Sequence, residues 1–160
     1  MNSAPSNSTI NTIIDTAKRN LLDSDVLQPV FFIVKNDTIG VFPPDFSTDE
    51  KKDEAAEAVR LIVKKMDPDF IFFLSESWTT ACATEEELAK NRAKYGSSIA
   101  NWPDVKDVVL FRYETPSTTW SGMADILPGR VMGEVKWSQQ PHDEERGRFC
   151  NFFEAKEATH

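Results

Sequence analysis

Residues 70–74, Phe-Ile-Phe-Phe-Leu, carry an apolar side chain at every position. Successive side chains of a strand point to opposite faces, so this run is apolar on both and marks a central strand rather than an edge. It leads into Ser75-Glu76-Ser77-Trp78, where the face bearing Phe70, Phe72 and Leu74 ends in a carboxylate. The chain has 160 residues, the size of one domain. Folding at that length buries roughly 70% of the unfolded surface, enough for a core without staples. Most of the 11 phenylalanines and 4 tryptophans belong in or around it.

Flanking patterns supply the other elements. Ser8 opens a helix whose apolar stripe is Ile10, Ile13, Ile14, Ala17 and Leu21. Residues 30–35 and 38–42 read as a β-hairpin turned at Asn36-Asp37 and ended by Pro43-Pro44. Ser47 and Glu50 form a capping box for a second helix that buries Ala55, Ala58, Val59, Ile62 and Met66 and stops at Asp67-Pro68. Thr84 and Glu87 form another box. The short helix it opens has only Leu88, Ala89 and Tyr95 as apolar anchors, so it belongs on the surface, ending at Gly96 and followed by a loop over 97–103. Few anchors also imply low local stability from 79 to 103. Strands follow over 106–114, 118–126 and 130–137, with turns at Pro116 and Pro128-Gly129. Phe149, Phe152 and Phe153 dock the C-terminus as either a strand or a helix.

The order α-β-β-α-β-(α)-β-β-β predicts one sandwich-like α/β domain. Its sheet is mostly antiparallel, of about five to six strands, with two main helices packed on one face and room for one parallel crossover. Residues 1–7 read as a disordered N-terminus, 8–155 as the domain and 156–160 as a tail. Phe32, Val34, Val59, Ile62, Phe72, Leu74 and Leu110 are the expected core.

A net charge of -8 disfavours broad attraction to nucleic acid or anionic membrane. The two cysteines, Cys82 and Cys150, make no disulfide framework, and no secretory signal is apparent; a cytoplasmic protein is expected. His142 and His160 have no second histidine or cysteine at ligand spacing, so no metal site is expected. Pairing His142 with Cys82 or Cys150 as a nucleophile finds no local signature. The 6 glycines are scattered singly, which leaves no phosphate cradle, and no cofactor is expected.

One constellation bears on catalysis. Asp125 closes one expected strand and Glu134-Val135-Lys136 lies in the next, the pattern of a Mg²⁺-dependent PD-(D/E)xK-like nuclease. Two carboxylates would hold the metal and the lysine would help activate water. With 26 acidic residues such a short pattern arises easily, and alternation groups Glu134 and Lys136 with Arg130 on a solvent-facing strand.

The hairpin, the capped helix, Phe73-Leu74-Ser75-Glu76-Ser77-Trp78, the stretch from Trp102-Pro103-Asp104 to Val108-Val109 and Gly147-Arg148-Phe149 resemble a set of uncharacterised bacterial and phage proteins. The resemblance covers about two-thirds of the chain as scattered motifs, carries no assigned activity and transfers no catalytic residues. It does not include the Glu-x-Lys pattern. It implies a bacterial or phage origin.

The expected site is polar. The central strand and the strand from Lys106 each begin apolar and end charged on one face. A crossover through the surface helix would leave them parallel, bringing Glu76, Trp78, Arg112 and Glu114 together as a ligand-binding pocket at one sheet edge. Arg112 would then neutralise Glu76 or Glu114. The expected function is a non-enzymatic binding or accessory protein recognising a protein or small ligand, with homodimerisation allowed; the nuclease is the alternative.

Overall fold

The computed structural model describes residues 8–24, 26–79, 85–96, 105–140 and 152–153. The elements are α1 (Ser8–Asp23), β1 (Val30–Lys35), β2 (Thr38–Phe42), α2 (Asp49–Met66), β3 (Phe70–Thr79), α3 (Glu85–Tyr95), β4 (Lys106–Glu114), β5 (Thr119–Leu127), β6 (Val131–Met132) and β7 (Lys136–Gln140). The expected α/β order holds. The expectations for residues 1–7, Cys82, Thr84, the 97–103 loop, His142, Phe149, Cys150 and the 156–160 tail lie outside the described residues.

The sheet runs β2-β1-β3-β4-β5-β6, with β7 also pairing β5. Among the described residues every pairing is antiparallel, with no parallel crossover between them. β3 lies between β1 and β4, the central place its doubly apolar run requires. Lys35 pairs with Thr38 around the Asn36-Asp37 turn, where Asn36 takes the left-handed backbone at φ 54°.

The two main helices cover opposite faces, not one. Ile10, Ile13, Ala17 and Leu21 of α1 pack with Val34, Phe70, Phe72, Leu74, Val109 and Phe111. Ala56, Val59 and Val63 of α2 pack with Phe31, Ile33 and Ile71, with Phe73 against them. The cause is the β3 run itself. With both helices on one face, either Phe72 and Leu74 or Ile71 and Phe73 would face water, at about 1.5–3 kcal/mol for each such side chain.

α2 begins one residue later than its expected box. Thr48, not Ser47, is the N-cap, accepting from the Lys51 N–H at 3.0 Å, while the Ser47 N–H turns back to Asp45 Oδ1 at 2.9 Å. Its end is as expected: Asp67 is left-handed at φ 52° and its N–H reaches Val63 O. The buried stripe is Ala55, Ala56, Val59 and Val63, whereas Met66 is exposed. α3 is largely exposed, as its thin stripe predicts.

Two further details shape the far side. Phe152 and Phe153 form a turn and are both buried, Phe152 meeting Phe31 edge-on at 5.7 Å between ring centres. The expected strand over 130–137 is broken. β6 and β7 both pair β5, but Ile126 faces Met132 while Met123 faces Lys136, so residues 133–135 oppose only 124 and 125. This is a β-bulge, pinned by the Gly133 N–H to Asp125 O bond at 2.8 Å. Of the expected core, Val34, Val59, Phe72 and Leu74 are buried, and Phe32 and Ile62 partly so. Leu110 is 36% exposed, because β4 presents Val109 and Phe111, not Leu110, to α1.

Candidate functional site

The four residues expected to converge do not. β3 and β4 are antiparallel, so Glu76 pairs with Val109, while Arg112 pairs with Phe73 and Glu114 with Ile71. Paired residues share a face, so Glu76 lies with Phe72 and Leu74 on the α1 side. Arg112 and Glu114 lie with Ile71 and Phe73 on the α2 side. Three steps along the strands, about 10 Å, also separate the Glu76 and Arg112 positions. Trp78 pairs with Asp107 at the end of β3. A helix in a β-β connection permits a parallel crossover and does not compel one.

Each carboxylate has its own structural task. Glu114 is 1% exposed and its Oε2 accepts the Phe153 N–H at 3.0 Å, which ties the C-terminal turn to β4. Glu76 is held by Arg130, a residue outside the expected pocket. The guanidinium donates from Nη1 to Oε2 at 3.0 Å and from Nη2 to Oε1 at 2.9 Å, a bidentate pair. Oε1 also accepts the Leu27 N–H at 2.9 Å. Arg130 Nε then donates to Leu21 O at 3.3 Å and Ser24 O at 3.1 Å, closing the carboxyl end of α1. One side chain thus joins the α1 terminus, the following loop, β3 and the β5–β6 turn. Burial pushes the Glu76 carboxyl up. The hydrogen bonds from Arg130 and Leu27 and the charge of Arg130 outweigh that push and hold it below its usual 4.5.

Pro128-Gly129 places Arg130. Proline favours the first central position of a type II turn, and glycine tolerates the positive φ of the second. Gly129 sits at φ 82° and Arg130 continues left-handed at φ 63°. A non-glycine residue held there costs about 1–3 kcal/mol, sustained where the surroundings over-determine it. The turn is legible in the sequence. The reach of its arginine over 54 residues of chain to Glu76 is not.

Beside this clamp lies a groove of about 350 Å³ between α1 and β1. Ile13, Ala17, Leu27, Val30, Phe32 and Leu74 give it apolar walls, and Thr16, Asn20, Asp23, Ser24 and Gln28 give it a polar rim. The clamp shapes it directly, since Ser24 and Leu27 line the groove and are themselves held by Arg130 and Glu76. The apolar surface continues onto β2, an edge strand, where Val41 pairs with Phe32 and is 60% exposed.

The nuclease-type residues stand elsewhere. Asp125, Glu134 and Lys136 are all exposed, and Asp125 pairs with Lys106 at 3.1 Å. Among the described residues no group of three or more His, Cys, Asp or Glu is placed to hold a metal ion. Among them, too, no helix is long and apolar enough to cross a membrane.

Fold and site together define an antiparallel α/β protein with a clamped apolar groove on its α1 face. Comparison with protein-family models, curated proteins and solved structures gave no match to this chain.

Proposed function

We propose that this is a non-enzymatic binding protein that takes a small ligand with an apolar body into the groove between α1 and β1. The observation that carries the reading is the groove: about 350 Å³, lined by both apolar and polar side chains. Small-ligand sites span roughly 300–1,000 Å³ and combine apolar walls with a few orienting polar groups. The clamp supports the same reading, because it fixes two lining residues before any ligand arrives, and a preformed site loses less entropy on binding. An accessory role in a bacterial or phage setting fits the motif resemblance, and a cytoplasmic one fits the sparse cysteine usage.

The test is a titration with n-hexanol followed by amide and methyl NMR. Shifts are expected at Ile13, Ala17, Val30 and Leu74. They are expected to vanish in Thr16→Phe, which fills the groove from a half-buried helical position. Shifts scattered over the surface, or a response unchanged in Thr16→Phe, would overturn the reading.

A further inference from the structure

The groove has a sign. Among the described residues Asp23 is its one charged lining residue, and no Lys, Arg or His lines it. The rim stands at the carboxyl end of α1, whose last turn holds no basic residue of its own and whose terminal carbonyls are met by Arg130 from the β5–β6 turn. The Ser24 hydroxyl donates to Asn20 O at 2.6 Å, which leaves its oxygen as an acceptor. Arg130 is committed to Glu76, and Arg19 donates to Thr16 Oγ1 at 3.3 Å without lining the groove. The net charge of -8 acts in the same direction at long range.

Resting on the ligand-groove reading, we infer that the site selects molecules whose apolar body ends in a cationic head, an alkylammonium in the simplest case, with Asp23 receiving the head group. An anionic head would meet the Asp23 carboxylate with no cation lining the groove to balance it, since Arg130 is already held by Glu76 and the α1 carbonyls. A neutral head would gain hydrogen bonds only.

Three probes of equal chain length, n-hexylamine, n-hexanol and hexanoate, separate this inference from the reading beneath it when titrated at low salt and neutral pH. The amine is expected to bind about tenfold more tightly than hexanoate, with the alcohol between them. The advantage should shrink as salt is raised, because Asp23 is exposed. Asp23→Asn should reduce the difference between amine and hexanoate to less than about twofold. Hexanoate binding as tightly as the amine, or a preference for the amine that survives Asp23→Asn, would overturn the head-group assignment while sparing the groove. Failure of all three probes to bind would overturn both.

Discussion

The Glu76 side chain is 13% exposed and ends the apolar α1-side face of β3. A carboxylate continuing the face of Phe72 and Leu74 needs a partner, because unpaired charge beside apolar packing is costly. The sequence marks that need and hides who meets it. Arg112, close by in the next strand, looks the natural choice, yet the register, which pairs it with Phe73, puts it on the other face. Arg130 comes instead from a turn whose own sequence speaks only of backbone geometry. Removing the carboxylate leaves a largely buried guanidinium without its countercharge, so Glu76→Ala is expected to cost about 3 kcal/mol in urea unfolding. The pH dependence has a definite sign. A carboxyl held below its unfolded value contributes stability that is fully present above that value, 4.5, and is lost as pH falls from there through the folded value. Wild type should therefore weaken below about pH 5 more steeply than Glu76→Gln. Parallel acid profiles for the two proteins would show that the pair contributes nothing.

At the scale of elements, the turns and helix stops were legible because their determining residues are close in sequence, while the α2 cap was read one residue early. The hairpin at Asn36-Asp37, the stop at Asp67-Pro68 and the turn at Pro128-Gly129 all follow from backbone preference. What periodicity misses is decided by contacts across the sheet. Gly122 is an example: a Cβ built there would stand 2.8 Å from the Trp137 ring, so the ring approaches β5 this closely only because position 122 has no side chain. Gly122→Ala should displace Trp137, with a loss of about 1–3 kcal/mol and a change in its fluorescence. An alanine variant with native emission and native stability would show that the ring yields freely. Trp137 packs in turn on Phe111 and Phe72, at 5.9 and 6.3 Å between ring centres, so the glycine serves the core three strands wide.

For the whole molecule, the sequence was sufficient for the α/β class and the element order and insufficient for the placement of its layers. The signal for helices on opposite faces is nonetheless present, in the five consecutive apolar residues of β3. Which helix covers which face depends on chain direction and sheet order, and neither is written in any local pattern. Phe72 is fully buried beneath α1 and among Phe111 and Trp137. Phe72→Ala should cost about 3–5 kcal/mol through lost transfer energy and the cavity left behind. A loss below about 1 kcal/mol would mean that this side of the sheet carries little of the fold's stability. The candidate site was less legible than the fold, since a groove between a helix and a strand is a property of how layers meet. Its walls come from residues chosen for packing, and only their incomplete contact makes them a site.

The extra residue in the β5 flank also determines what the Glu-x-Lys pattern can be. Met132 faces the α1 side. Counting onward by twos from Met132, an uninterrupted strand would turn Glu134 and Lys136 inward and Trp137 out to water. The inserted residue reverses the parity of everything after it, so Val135 and Trp137 return to the core while both charges stay in solvent. The irregularity works as a phase shifter in the chain. It reconciles a sequence whose two halves, read with one period, demand opposite sides of the same sheet.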